Sequence, residues 1–372
     1  MKRIIIASDS FKGTLSSSDI CDIAKNCINE IFPNCEVIQI PIADGGEGTV
    51  DCFIRTLNAK KVDIIVNDSY MNKINTYYAI HDNTAFIEVA SSSGLPQVKE
   101  NKNPSLTSTY GIGEQIYDSI SKGATKIILG LGGSSTNDAG CGCACALKTK
   151  FYDKYNNEFI PTGKTLINVK RIDTTETRKL LKNIEIIAMC DVNNKMYGKD
   201  GASYVYAPQK GADKKMVKEL DKGLKHLSKV IKKDLQINVS KIQGAGAAGA
   251  LGAGSIAFLN ASLKSGIDIV LDITGFNNYL KDCDYVITGE GKLDYQSFKG
   301  KVISGILNRC KKYNTPVIII PGCIDLSTKN INIENVQGIY PTIKEDLPFD
   351  IIKKNAAANY KKTLINVLNS LK

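Results

Sequence analysis

Arg3-Ile4-Ile5-Ile6-Ala7-Ser8 is a continuous apolar run of strand length near the start of the chain, and with the charged loop after it this run limits the fold more than any other feature. A strand that is apolar at every position is expected to be buried on both faces, as in parallel sheets. The run leads into Asp9-Ser10-Phe11-Lys12-Gly13. Residues 16–18 can then cap a helix with Ile20, Ile23, Ala24, Cys27, Ile28 and Ile31 on one face. A second strand over 36–40 enters Ile42-Ala43-Asp44-Gly45-Gly46-Glu47-Gly48-Thr49, and Thr49–Leu57 again has helical spacing. This β-α-β-α order predicts a doubly wound parallel sheet with its ligands at the carboxyl ends of the strands.

From Val62 the texture changes. Residues 62–66, 76–80 and 85–89 read as short strands without helix-length connections, an antiparallel meander that opens a second domain. Further along, 107–121 reads as an amphipathic helix, 126–130 as a buried strand, and a helix runs through Leu147. Strands are predicted at 184–189, 204–206, 269–271, 285–288, 316–320 and 336–340, and helices at 214–233, 298–313 and 356–371. At 372 residues the chain exceeds what one core of roughly 250–300 residues accommodates. The expected architecture is α/β with two domains. Residues 1–65 plus 265–372 form a discontinuous flavodoxin/Rossmann-like domain, and 66–264 an inserted mixed α/β domain.

Charge and cysteine content exclude several classes. The net charge of +10 is spread over helices and loops, with no Trp and no arginine-rich block, which argues against nucleic acid and fits anionic small substrates. The 11 cysteines include no CxxC pair, and Cys141-Gly142-Cys143-Ala144-Cys145 lacks zinc-ligand spacing. Free buried thiols imply a reducing compartment, so a cytoplasmic location is expected. No apolar run has the length of a signal peptide or a membrane span.

Three loops can do chemistry. The first is the 43–49 motif, whose three glycines permit close ligand approach before a helix N-terminus. It can equally be a capped turn, with Glu47 on the helix while Asp44 faces a ligand. The second is the loop of residues 130–140, with Gly132, Gly133, Ser134, Ser135, Thr136 and Asn137 suited to phosphate, and Asp138 suited to a metal or a helix cap. The third, Thr288-Gly289-Glu290-Gly291-Lys292-Leu293-Asp294, repeats the strand, glycine-flanked carboxylate and helix pattern. Gly244-Ala245-Gly246-Ala247-Ala248-Gly249 matches a dinucleotide fingerprint, with Asp268 as its acid, but no convincing strand precedes it; an NAD-dependent oxidoreductase is therefore the lesser alternative. There is no Walker A sequence, nucleophile elbow or zinc cluster. Lysines 12, 210 and 292 together with the carboxylates Asp44, Glu47, Asp191, Glu290 and Asp294 suit Mg²⁺-assisted phosphoryl transfer.

Asp-Ser-Phe-Lys-Gly (9–13), Ala-Asp-Gly-Gly-Glu-Gly-Thr (43–49), Gly-Gly-Ser-Ser-Thr-Asn-Asp (132–138), Cys-Asp-Val (190–192), Pro-Gln-Lys-Gly-Ala (208–212), Gly-Ala-Gly-Ala-Ala-Gly (244–249) and Thr-Gly-Glu-Gly-Lys-Leu-Asp (288–294) occur in this order. The series resembles the bacterial glycerate kinase family of the GlxK/GarK type over nearly the whole chain. The resemblance implies ATP-dependent phosphorylation of D-glycerate, usually to 2-phosphoglycerate and alternatively to 3-phosphoglycerate, with ATP and Mg²⁺, by a monomer or homodimer. It also implies two α/β domains, one flavodoxin- or Rossmann-like, with an active-site cleft between them. It departs mildly from the family pattern. Ser135 stands where Ala is frequent, 190–194 does not continue as Asp-Asn-Pro, and Lys292 replaces a frequent Arg, giving up bidentate phosphate contact. The implied catalytic residues are Lys12, Asp44, Asp191 and Asp294, with Asp191 the candidate base and Asp294 its rival. Asp9, Ser10, Lys12, Gly45, Gly46, Glu47 and Glu290 would bind substrate. Gly132, Gly133, Ser134, Ser135, Asn137, Lys210 and Lys292 would bind the nucleotide, and Asp44 and Asp191 the metal.

Overall fold

Ile4, Ile5 and Ile6 are all fully buried, so the first strand, Arg3–Ile6, is covered on both faces as its unbroken apolar run requires. In the computed structural model, residues 1–43, 45–98, 102–298, 301–325, 334–343, 345 and 347–372 are described. They divide into two compact units, one of Met1–Asp44, Arg55–Leu57 and Ser265–Lys372, the other of Gly45–Ile54 and Asn58–Lys264.

In the first unit Arg3–Ile6 lies between Glu36–Gln39 and Tyr285–Thr288, with Ile5 in register with both Ile38 and Val286. Among the described residues this sheet has five parallel strands in the order Val336–Ile339, Val317–Ile319, Tyr285–Thr288, Arg3–Ile6, Glu36–Gln39. Numbered along the unit, that is the 2-1-3-4-5 order of flavodoxin-like sheets. Helix Ser17–Ile31 starts at a capping box, in which Asp19 N donates to Ser16 Oγ at 3.0 Å and Ser16 N to Asp19 Oδ2 at 3.1 Å. Its buried Ile20, Ala24, Cys27 and Ile28 join Ile4 and Ile6 and the Tyr360, Leu364 and Leu368 face of helix Phe349–Asn369 in one core.

Two expected strands are helices. Residues 269–271 lie inside helix Gly266–Ile273, because a short apolar run carries no period that separates a buried strand from a buried helix. The strand of that region is Ser262–Lys264, which pairs in parallel with Glu185–Met189. Residues 204–206 end helix Ala202–Tyr206, which buries Ala202 and Ser203 and leaves Tyr204 and Val205 exposed. The last helix starts at Phe349, a full two turns before the apolar positions that marked it.

The second unit contains a six-stranded mixed sheet in the order Ser262–Lys264, Glu185–Met189, Lys126–Gly130, Thr84–Glu88, Lys73–His81, Lys60–Asn67. The first four are parallel and the last three form the antiparallel meander, with Thr84–Glu88 serving both patterns. A boundary after residue 65 would cut strand Lys60–Asn67, whose eight residues all pair with Lys73–His81; that strand belongs wholly to the second unit. Tyr78, Ile87, Leu129, Phe151, Leu227 and Phe258 are among the residues of the unit's main core. The helix carrying Cys141, Cys143 and Cys145 is Cys141–Ala146, and all 11 cysteines are free thiols. No helix among the described residues is long and apolar enough to cross a membrane.

The glycine/alanine tract is not a dinucleotide turn. Val239–Lys241 before it is a single 3₁₀ turn rather than a strand, so the βαβ context is missing. The tract enters helix Ala247–Leu259 with Ala248, Gly249 and Ala250 in left-handed conformations. A Cβ at Gly249 would stand 1.9 Å from Thr136 O, and one at Gly254 would stand 2.0 Å from Ala139 O. These glycines let the helix lie main chain against main chain on the 136–140 loop.

Helix Thr49–Leu57 begins at Gly48 (φ +88°) without a side-chain cap of its own. The carboxylate at its N-terminus is not Glu47, which is exposed, but Glu88 from the end of Thr84–Glu88. Glu88 is 8% exposed and accepts from Val50 N at 3.1 Å and from Gly48 N. Burial pushes its carboxyl up to about 7 from 4.5; the two amide donors oppose the shift, and the charges of Asp51 and Glu47 reinforce it.

These contacts make two outcomes measurable. Gly249→Ala places a Cβ on Thr136 O in a left-handed backbone and is expected to cost about 2 kcal/mol or more, read as a lower melting temperature. Between about pH 4.5 and 7 the unfolded chain releases the Glu88 proton while the folded chain keeps it, so stability falls as pH rises through that window. Glu88→Gln is therefore expected to flatten the pH dependence of the urea midpoint between those values; an unchanged slope would show that Glu88 does not set it.

Candidate active site

The first unit's sheet places two of the three expected loops side by side. In a 2-1-3-4-5 sheet, ligands bind where the strand order reverses, between the first and third strands. Here these are Arg3–Ile6 and Tyr285–Thr288, whose loops carry Asp9–Lys12 and Gly289–Asp294. The pairing continues past the strand ends. Ala7 N donates to Ile287 O at 2.8 Å, Asp9 N to Gly289 O at 2.9 Å and Ser8 Oγ to the same carbonyl at 3.0 Å. Gly322 N then donates to Glu290 O at 2.9 Å and Cys323 N to Gly291 O at 3.1 Å. A Cβ at Gly289 would lie 2.1 Å from Ile320 O, and one at Gly322 2.4 Å from Gly291 O, so the loops after Arg3–Ile6, Tyr285–Thr288 and Val317–Ile319 stack backbone on backbone.

The stacked loops border a pocket of about 450 Å³. Lys12, Lys292 and Lys301 supply positive charge, and Asp9, Glu290 and Asp294 supply carboxylates. The start of helix Val302–Tyr313 opens on it through Lys301 and Val302, with the positive end of the helix dipole towards it. The apolar lining is Phe11, Val302, Ile343, Phe349 and Ile352. Local bonds hold the acids: Asp9 Oδ1 accepts from Ser10 N at 2.7 Å, and Asp294 Oδ1 accepts from Ser297 N at 3.1 Å. Lys292 is exposed and pairs with Asp325 at 3.2 Å, a bond that raises its ammonium above the ordinary lysine value. Lys12 is exposed. Asp9, Ser10, Lys12, Glu290, Lys292 and Asp294, singled out from the sequence for separate roles, all line this pocket. Lys301 and Phe349 line it too; a basic residue at a helix start is the only sequence signal for the first, and the second has none.

The remaining expected residues lie in the second unit, except Asp44, which is outside the described residues. Gly45 and Gly46 pack on the end of strand Lys126–Gly130. Gly132 N donates to Gly45 O at 2.8 Å, and Cβ atoms at Gly130 and Gly132 would stand 2.5 Å from Gly45 O and 2.4 Å from Gly46 Cα. In the loop beyond that strand Gly133 is exposed, whereas Ser134, Ser135 and Asn137 are buried. The Ser135 hydroxyl donates to Ser93 O at 2.9 Å, and Asn137 Nδ2 donates to Ser203 Oγ at 3.3 Å. Asp138 resolves as a cap: it accepts from Thr109 N, Thr109 Oγ1, Gly140 N and Gly142 N, while complete burial pushes its carboxyl up. Lys210 is 2% exposed and donates to Ser134 Oγ and Thr136 O, both at 2.7 Å. Burial lowers its ammonium to about 7, partly offset by Asp138. Asp191, half-buried, lies just past strand Glu185–Met189.

The implied ion is magnesium. Among the described residues no three His, Cys, Asp or Glu side chains stand together as a metal cage. Magnesium in phosphoryl-transfer sites asks for less, one or two carboxylates plus substrate phosphates. The hard oxygen donors of the first unit's pocket, Asp9, Glu290 and Asp294, fit that requirement.

A family model, the glycerate kinase family, matches residues 4–372. A Bacillus cereus protein named glycerate kinase is 39% identical over 368 residues, covering 98% of this chain and 97% of that protein. A protein of Escherichia coli K12 named glycerate 2-kinase is 42% identical over 340 residues, covering 91% and 88%. A crystal structure provisionally assigned as glycerate kinase 2 from Salmonella typhimurium LT2 superposes with a TM-score of 0.88 at 36% identity, covering 100% of this chain and 98% of that one. With a flavodoxin-like sheet and a lysine-carboxylate pocket at its switch point, and with likeness running along its whole length, the chain belongs to the glycerate kinase family, phosphotransferases with an alcohol group as acceptor.

Proposed function

We propose that this protein transfers the γ-phosphoryl group of ATP to the 2-hydroxyl of D-glycerate, giving 2-phosphoglycerate and ADP. The observation that carries the reading is the convergence of Lys12, Lys292 and Lys301 with Asp9, Glu290 and Asp294 around one pocket at the sheet's switch point. Phosphoryl transfer asks little covalent chemistry of a protein and much positioning and charge stabilisation. Lys12, exposed on the loop after the first strand, neutralises the transferring group or the glycerate carboxylate. The amide groups opening helix Val302–Tyr313 and the Lys301 ammonium hold further phosphate charge. Magnesium, when bound, would neutralise phosphate oxygens, and Asp9 and Glu290 are the residues of the pocket that would hold it, which leaves Asp294 to another role.

The hydroxyl proton needs an acceptor. Asp294 lines the same pocket as Lys12 and is the base favoured here, with Asp191, on the loop after Glu185–Met189, as its rival. Asp44, Gly45, Gly46 and Glu47 remain proposed for substrate. The exposed Gly133 and half-buried Gly132 are the part of their loop open to phosphate, while Ser134, Ser135, Asn137 and Lys210 shape it from beneath. The name of the E. coli relative supports the 2-hydroxyl over the 3-hydroxyl.

Lys12→Ala is expected to lower ADP release with D-glycerate roughly 100-fold or more with an unchanged melting temperature. Near wild-type turnover in that variant would remove Lys12 from the mechanism. Phosphorus NMR of the wild-type product is expected to display the 2-phosphate; a 3-phosphate signal would overturn the regiochemistry and leave the kinase reading intact.

A further inference from the structure

We propose that the apolar wall formed by Phe11, Val302, Ile343, Phe349 and Ile352 in the first unit is the seat of the phosphoryl donor's nucleobase, with Lys12, Lys292 and Lys301 disposed for its phosphates. This rests on the kinase reading above and adds the place where the nucleotide is held. The first argument is size. A pocket of about 450 Å³ belongs with sites for drug-sized ligands, roughly 300–1,000 Å³, whereas glycerate is smaller than most amino acids. The second is chemistry. Glycerate carries an oxygen on every carbon and gains little from apolar side chains, while a nucleotide joins a flat π-face to a polyanion. One pocket supplies a counterpart to each part: five apolar side chains for the base and three ammonium groups for the phosphates.

Phe349 is the informative residue of the wall. It begins helix Phe349–Asn369 and remains 56% exposed, so the fold does not consume its ring. Its edge lies over the loop that carries Lys12: a Cβ at Gly13 would come 2.9 Å from Phe349 Cζ. Gly13 is left-handed at φ +80°, and only glycine leaves that space for the ring. Ile352, one turn further along the same helix, lines the same pocket. An aromatic ring with a free face beside a lysine loop is how sequence-tolerant stacking of a base is built, and loss of such a ring weakens binding about tenfold or more.

Phe349→Ala and Ile352→Ala in the full chain test this by calorimetry with ADP and with pyrophosphate, alongside steady-state kinetics. Phe349→Ala is expected to weaken ADP binding about tenfold and raise KM for ATP by a similar factor, while pyrophosphate affinity and KM for D-glycerate move less than about twofold. Ile352→Ala is expected to shift the same quantities less. ADP affinity unchanged in Phe349→Ala would overturn the proposal, and so would a selective rise in KM for D-glycerate, which would give the pocket to the organic acid. The kinase reading fails separately, if the wild type releases no ADP with D-glycerate; the ADP and pyrophosphate comparison still decides where the base sits. Because Phe349 is exposed, its truncation keeps the test valid even if Ile352→Ala proves unstable.

Discussion

The pocket of the first unit depends on the parallel register of Arg3–Ile6 with Tyr285–Thr288. Those strands lie far apart in the sequence, with the whole second unit between them, yet Ile4, Ile5 and Ile6 sit directly against Tyr285, Val286 and Ile287. Once that register is set, Asp9 N meets Gly289 O, and Lys12, Glu290, Lys292 and Asp294 share one pocket. Burial of the isoleucines on both sheet faces fixes it, because exposing the strand would put a continuous apolar run in water.

Glycine does in both units what side chains cannot. Gly289 and Gly322 in the first, and Gly130 and Gly132 in the second, sit where a Cβ would strike a backbone atom at 2.1–2.5 Å. The loops at the strand ends are therefore layers of main chain, whose amides are held at fixed height above the sheet edge. A preorganised set of dipoles of this kind is what charge transfer between oxygens requires. Local turn bonds hold the acids beside these layers: Asp9 accepts from Ser10 N and Asp294 from Ser297 N.

Buried charge in the second unit obeys a different rule. Glu88, Asp138 and Lys210 are nearly or wholly inaccessible, and burial favours the neutral form of each. Asp138 and Glu88 are offset by backbone amides at helix starts, Lys210 by a hydroxyl and a carbonyl. They shape the loops of residues 45–48 and 132–138 from below. From sequence alone a buried carboxylate that holds a loop looks the same as one that faces a ligand, so Glu88 gave no signal and Asp138 stayed ambiguous.

The sequence by itself determined the parallel character of the strand ending at Ile6, the meander between Val62 and Val89, and the loops that carry charge. It could do so because strand burial and turn chemistry are written in local residue order. It also determined the family, because seven motifs recur in one order along the chain. It misread Ile269-Val270-Leu271 and Tyr204-Val205-Tyr206 as strands, since runs this short have no measurable period. It could not place Phe349 against Gly13, or Glu88 under Gly48 and Val50, since those neighbours are hundreds or tens of residues away. Tertiary structure decided which carboxylates face a pocket and which are buried as caps, because only packing sets the distance from each group to solvent.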